Sequence, residues 1–311
     1  MIPQNFFYYW TGPDFFYPNI LSVKSVLKNE NSPEIKIYYN HPIATMSPRR
    51  LAYWEYLKTL PVQFEEFDID NFKLDFLPDT FYEVFKNYIM PPINKYRHFH
   101  ISDIARDFIL YKFGGVYQDF DTLTIKSLDP FLEQYDYYLP TTCGRVCTGY
   151  DGNDSNLPNG NLACTSEHPF YKTVIQRVCD IVLNNRKEDI AAPFEKLEFG
   201  PAIINYAWLK HPETPLLDYR VFHSIGHKGK SRAPFYYRAM YESIVEMPEE
   251  AYNLHLHTGK TQSRIRYEQY VSAKDILRKK DKCSFAHFYS KFIDDHILEW
   301  EKKTFETASS T

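Results

Sequence analysis

Residues 102–121 read SDIARDFILYKFGGVYQDFD, and this run constrains the chain more tightly than any other. A segment of helical length, Ile101 to Phe113, ends at two adjacent glycines in a chain that has 11 in all. Ser102 is placed to cap that helix, Asp103 suits its positive N-terminal end, and Gly114 stops it. Val116 to Phe120 then reads as a short strand. Alternate residues of a strand share a face, so Asp119 and Asp121 project together while Gln118 and Phe120 point away. Paired carboxylates suit a hard divalent cation, Mn2+ or Mg2+, of the kind that joins carboxylates to substrate phosphates. Asp103 and Arg106, three residues apart, share one helix face. To reach the aspartates, the helix must lie antiparallel beside the strand, with the reversal at Gly114-Gly115 returning its start to the strand's far end.

A D-x-D triplet alone is weak evidence, since Asp68-Ile69-Asp70 is another and reads as solvated carboxylates on a surface loop. The glycine turn and the preceding helix distinguish the second copy. Around it the chain has the order of an α/β protein. Gln4 to Trp10 is a strand-length aromatic run closed by Thr11-Gly12-Pro13; Asn19 to Asn29 has helical spacing through Ile20, Val23, Val26 and Leu27; Glu34 to Tyr39 reads as a second strand. A continuously apolar strand is one buried on both faces of a parallel sheet. Ligands in such sheets sit beyond the strands' carboxyl ends, which places Trp10 at the rim of a site. Residues 47–98 are expected to form helices inserted before the next core element, and a helix is expected near Pro169 to Asn185. The charged last fifty residues are expected to form exposed helices, with a division of the chain at about residue 265.

Net charge is −4, from 36 basic and 40 acidic residues, so no basic field points to nucleic acid. Five cysteines without a zinc-type CxxC pair argue against a disulfide scaffold and fit a reducing compartment. The start, MIPQNFFYYW, lacks a charged n-region followed by an apolar run, and no stretch reaches the length of a membrane span. A soluble, cytoplasmic protein is the expectation. The 17% of aromatic residues suit both packing and ligand stacking.

The pattern S-D-x-x-R-x-x-x-L-x-x-x-G-G-x-Y-x-D-x-D resembles the sugar-binding-region glycosyltransferases that contain a D-x-D motif. That group includes initiating mannosyltransferases and capsule hexosyltransferases and, more distantly, clostridial glucosylating toxins. Ile2-Pro3 with Trp10 and Gly12, Asn159-Gly160-Asn161-Leu162-Ala163 with His168-Pro169, and Gly200-Pro201-Ala202 are similar to further family segments. The likeness spans about residues 1–260. It implies a GT-A fold, a single α/β nucleotide-sugar-binding domain over 1–265; the helical insertion expected at 47–98 and the helical extension expected at 266–311 have no counterpart in the likeness. It implies that Asp119 and Asp121 hold a metal and the donor diphosphate, that Asp103 and Arg106 hold the donor sugar's hydroxyls, and that Trp10 stacks on the nucleobase. Tyr117 joins the donor-binding set. In the stretch Leu254 to Lys260 it implies His257 as a third metal ligand and Lys260 near the phosphate, with His255 as a competitor for the metal.

The resulting expectation is a metal-dependent, retaining transferase moving a hexose from a nucleotide sugar, a UDP-sugar foremost, to a glycan or other hydroxyl acceptor. A toxin-like transferase that modifies a protein and a nucleotide-sugar-binding module without turnover are the alternatives. The intact Asp/Arg/Asp/Asp set disfavours the module, which has no physical need for it. A metal phosphohydrolase would need further carboxylates bracketing two metals, and none stand at readable spacing.

Overall fold

A computed structural model describes residues 1–12, 15–40, 46–89, 97–141, 157–184, 199–222, 244, 247, 249–256 and 268–306. The chain opens with β1 (Asn5–Trp10), α1 (Tyr17–Asn29), β2 (Glu34–Tyr39), α2 (Pro48–Leu57) and β3 (Gln63–Glu66). It continues through α3 (Asp79–Val84), α4 (Arg97–Phe113), β4 (Gly115–Gln118), β5 (Thr122–Thr124), α5 (Asp129–Gln134), β6 (Tyr137–Pro140) and β7 (Asn161–Cys164). Then follow α6 (Pro169–Asn184), α7 (Pro201–Lys210), β8 (Leu216–Leu217), α8 (Tyr219–Phe222), β9 (Asn253–His255), α9 (Ala273–Lys279), α10 (Ser284–Ser290) and α11 (Asp295–Glu301).

Seven strands form one sheet in the order β3-β2-β1-β4-β7-β6-β8, in which β7 alone opposes the others, and β5 pairs antiparallel with β9 in a small second sheet. The aromatic run of β1 is continuous because both sheet faces are covered. Phe6 and Tyr8 enter a core with Val23 of α1, Trp54 of α2 and Phe285 of α10. Phe7 and Tyr9 enter the opposite core with Ile104 and Phe108 of α4, Val174 of α6 and Ile203 of α7. Each such ring removes enough apolar surface to favour folding by about 2–3 kcal/mol. The chain winds outward from β1 to β3 and then returns to lay β4 on β1's other side. The strand order therefore reverses between β1 and β4, the place beyond whose carboxyl ends such sheets ordinarily take their ligands. This mostly parallel sheet covered by helices on both faces is the α/β architecture expected from the sequence.

Four local expectations change. The segment 47–98 contains β3, the edge strand of the main sheet; Gln-Phe-Glu-Glu is too short and polar to show a strand period, and an edge strand pairs on one side only. The helix α4 starts at Arg97, so Ser102 lies inside it and does not cap it. The strand β4 ends at Gln118, which puts Asp119 and Asp121 in the turn that follows it. The terminal helices are not merely exposed, since Ile276, Phe285, Tyr289 and Ile297 are fully buried against α1 and α2. There the Tyr53 hydroxyl lies 2.6 Å from the Val271 carbonyl and 2.8 Å from Glu301, two acceptors that share its one proton, and Lys24 pairs with Asp294 at 2.5 Å. Among the described residues no helix is long and apolar enough to cross a membrane.

The reversal between α4 and β4 depends on its two glycines. Gly114 and Gly115 have φ of +64° and +101°, and a Cβ would stand 2.6 Å from the Ser166 nitrogen and 2.4 Å from the Asn5 oxygen respectively. Backbone on both sides leaves no room to yield. Replacing Gly115 by Ala is expected to destabilise the chain by about 3 kcal/mol or more, read as a lowered midpoint in chemical denaturation.

A second prediction concerns Glu30 at the end of α1. Its carboxylate accepts from the Leu128 amide at 2.9 Å and the Ser127 hydroxyl at 3.0 Å, while burial pushes its pKa up to about 7. A folded-state value above the ordinary one means that the native chain holds a proton the unfolded chain releases, so stability falls as pH rises through that interval. Thermal midpoints between about pH 4.5 and pH 8 are expected to fall less for Glu30→Gln than for the wild type.

Candidate active site

The two aspartates are set by a tight turn whose backbone is held on several sides. The Thr122 amide closes the turn on the Asp119 carbonyl at 3.0 Å, the Asp119 amide donates to the Gly160 carbonyl at 2.9 Å, and the Leu256 amide donates to the Asp121 carbonyl at 3.0 Å. Pairing of β5 with β9 sets Thr122 opposite His255. The ring Nε2 of His255 consequently lies 3.1 Å from Asp121 Oδ1 and 3.7 Å from Asp119 Oδ2. One ligand atom from each of the three residues falls within 4.8 Å of the others. Two carboxylates and one imidazole are a donor set that fits Mn2+ and similar divalent ions. Burial alone would lower the His255 pKa, but Asp121 and Asp119 outweigh it and hold the ring above its ordinary value.

The helix α4 runs antiparallel to β4 and brings its first half to the same place. Arg106 is 4% exposed, and its guanidinium lies 4.6 Å above the ring of Tyr117. Its Nε donates to the Ser102 carbonyl at 3.0 Å, Nη2 to the Ser102 hydroxyl at 2.9 Å, and Nη1 to the Asn159 carbonyl at 2.5 Å. It pairs with Asp103 at 3.2 Å and with Asp119 at 3.3 Å. Burial disfavours the charged guanidinium, yet Asp119 and its neighbours keep it protonated with its pKa raised. An ion set this deep is costly to break, because each partner removed strands a charge away from water. The Tyr117 hydroxyl donates to Asp119 Oδ1 at 3.1 Å. Beside Arg106, burial pushes the pKa of the Asp107 carboxyl well up, against the opposing pull of the guanidinium.

Two loops complete the arrangement. The Asn159 side chain donates to Asp103 Oδ1 at 2.6 Å. A Cβ on Gly200 would stand 2.9 Å from both that Asn159 amide nitrogen and Asp103 Oδ2, and one on Gly160 would stand 2.2 Å from the His255 ring and 2.7 Å from Asp119 Oδ2. These glycines let backbone pass against the functional side chains. Trp10 stands at the end of β1, its indole nitrogen donating to the Gly12 carbonyl at 2.9 Å and its ring edge-on to Phe15 and Phe120.

The structure thus brings together Asp103, Arg106, Tyr117, Asp119 and Asp121, with Trp10 linked to their turn through Phe120. His257 and Lys260 lie outside the described residues. Among the described residues His255 is the histidine that reaches the aspartates, and its place two residues before His257 was the one signal for it in the sequence. Asn159 and Gly160 were legible only as a small polar segment, because their contacts with α4 and β9 are long-range. The other D-x-D separates cleanly: Asp68 accepts from the Asp70 amide at 3.0 Å, and Asp70 pairs with Lys86 on the surface.

Residues 25–138, which carry the glycine turn and both aspartates, match the family described as "Glycosyltransferase sugar-binding region containing DXD motif". That stretch of the chain is similar to the sugar-binding region of DXD glycosyltransferases. Inositol phosphoceramide mannosyltransferase 1 of Schizosaccharomyces pombe is 32% identical over 130 residues, covering 42% of this chain and 37% of the relative. Inositol phosphoceramide mannosyltransferase 3 of the same yeast is 28% identical over 112 residues, 36% of this chain and 28% of the relative. The matches therefore span well under half of those relatives' lengths. Among solved structures, galactosyltransferase LgtC in complex with donor and acceptor sugar analogs superposes with a TM-score of 0.49 at 12% identity, covering 95% of this chain and 99% of LgtC.

The close approach at Gly160 generates a prediction about the DXD region. Gly160→Ala is expected to weaken Mn2+ binding by about tenfold or more, since the added carbon displaces His255 and Asp119, two of the three groups that could hold the ion. Titration of the purified variant with Mn2+ checks this.

Proposed function

We propose that the chain is a divalent-metal-dependent, retaining glycosyltransferase that moves a hexose from a nucleotide sugar, a UDP-sugar foremost, to a hydroxyl of a glycan acceptor. One observation carries this reading: Asp119, Asp121 and His255 converge with an Arg106-held Asp103 beyond the carboxyl ends of β1 and β4, where the strand order reverses. Asp119, Asp121 and His255 would hold the cation, which when bound offsets the negative charge that grows on a departing diphosphate.

The protein's own groups supply position. Asp103, its Oδ1 fixed by Asn159 and Arg106, presents a carboxylate to sugar hydroxyls. The donors of Arg106 are committed to Ser102, Asn159, Asp103 and Asp119, so it acts by locking the sugar-facing carboxylate to the metal-facing one. Lysine could not replace it, having no planar fork to bridge two carboxylates and a carbonyl. Tyr117 steadies Asp119 from below, and the half-buried face of Trp10 is offered to the nucleobase. The family resemblance implies His257 as a metal ligand in competition with His255, and Lys260 near the phosphate. Attack by the acceptor hydroxyl on the face that the diphosphate leaves preserves the configuration of the sugar.

The names of the two yeast relatives favour mannose as the hexose and a polar-lipid hydroxyl as a second acceptor class. A nucleotide-sugar panel that includes UDP- and GDP-linked hexoses, scored by release of free nucleotide in Mn2+, separates these options. Activity is expected to vanish in chelator and return with added metal. Asp119→Ala and Asp121→Ala are expected to lower turnover at least about a hundredfold, the scale of charge stabilisation at a metal, while Asp68→Ala leaves it unchanged. Full turnover in chelator, or equal harm from Asp68→Ala, would overturn the assignment.

A further inference from the structure

The turn that carries the aspartates runs directly into β5, a strand of three residues with β9 on one side. A strand this short has little intrinsic reason to stay in place, and its other edge should expose unpaired backbone groups. That edge faces α1, whose residues Asn19, Ser22, Ser25 and Asn29 are spaced three, three and four apart and so form one stripe along the helix. Three of them, Asn19, Ser22 and Ser25, are at most 3% exposed, although polar residues on a helix ordinarily face water.

Each member of the stripe meets a backbone group of the aspartate turn or of β5. The Asn19 amide donates at 3.1 Å to the carbonyl of Phe120, the residue between the two aspartates. The Ser22 hydroxyl donates at 2.5 Å to the Thr122 carbonyl. The Ser25 hydroxyl accepts from the Thr124 amide at 2.9 Å, and the Asn29 amide donates to the Thr124 carbonyl at 2.7 Å. The partners are residues 120, 122 and 124, the period of a strand edge, read by a helix stepping three to four residues at a time. Gln118 closes the far end, its amide donating at 2.9 Å to the Thr124 hydroxyl while Tyr8 donates to it at 3.2 Å.

We infer that Asn19, Ser22, Ser25 and Asn29 are positioning residues of the metal site, and that α1 serves β5 as the neighbouring strand it lacks. None of the four side chains is needed to hold α1 to the sheet, a task carried by Ile20, Val23 and Val26 in the core. What they fix is the height of residues 119–124, and with it both aspartates and, through the pairing of Thr122 with His255, the third ligand. Hydrogen bonds to buried carbonyls are directional, so losing one lets the turn shift without unfolding the sheet. This inference rests on the metal reading of Asp119, Asp121 and His255.

The test is direct Mn2+ titration of the full chain by calorimetry, with thermal midpoints measured in parallel. Ser22→Ala and Asn19→Ser are each expected to weaken Mn2+ about fivefold, the equivalent of one hydrogen bond, while the chain stays folded. Ser22→Thr, which keeps a hydroxyl, is expected to restore much of the affinity lost in Ser22→Ala. Tyr53→Phe serves as the reference: it removes the hydroxyl that links α2 to the terminal segment, so it should lower the midpoint and leave Mn2+ affinity unchanged. Wild-type affinity in both Ser22→Ala and Asn19→Ser, or an equal loss in Tyr53→Phe, would overturn the inference and leave the metal reading standing. A wild-type chain that bound no Mn2+ would overturn the metal reading, and the inference with it.

Discussion

The pairing of Arg106 with Asp119 across the α4–β4 reversal is the contact on which the remaining architecture of the site depends. It joins the middle of a long helix to the turn that follows the next strand. Such a contact can form only if the chain folds back sharply enough at Gly114 and Gly115 for the two elements to lie side by side. Once it is made, the guanidinium fork gathers Asp103 and the Asn159 loop as well. Desolvation of so much charge is unfavourable, and it is tolerated because every partner is oriented and within hydrogen-bonding reach.

Around that pair the sheet supplies location and the loops supply fit. The reversal of strand order falls between β1 and β4, and the side chains that converge beyond their carboxyl ends come from α4, the turn after β4, and β9. Gly160 and Gly200 then bring two more segments of backbone against those side chains without steric conflict. The matched family region ends at residue 138, yet His255, Asn159 and Gly160 lie beyond it. The geometry of this chain therefore draws on residues that the short motif does not contain.

Much of this was readable in the sequence where the signal is local. The β1-α1-β2 opening, the α4 helix, the glycine reversal and the antiparallel return of Asp103 and Arg106 all follow from periodicity and turn chemistry within a few residues. What escaped is long-range or marginal. The edge strand β3 has too few residues to display a period. The aspartates lie in a turn, where their convergence comes from backbone hydrogen bonds to Gly160 and Leu256 and not from strand alternation. His255 was read only as a competitor of His257, because the pairing of β9 with β5 that sets it beside the aspartates is long-range. The polar spacing of Asn19, Ser22, Ser25 and Asn29 was visible, but the apolar stripe of the same helix dominated its reading.

Phe120, the residue between the two aspartates, has a consequence of its own. Its ring is 4% exposed and packs against Tyr8 at 4.7 Å, Trp10 at 5.4 Å and Phe15 at 5.6 Å. The turn is thus nailed into the hydrophobic core by its central side chain, while the carboxylates on either side turn to His255. Loops that bind ions often lose much of their freedom at the moment of capture, and that loss subtracts from affinity. Here the conformational freedom of residues 119–121 has already been surrendered during folding, so a cation held there as proposed would meet ligands with little disorder left to give up.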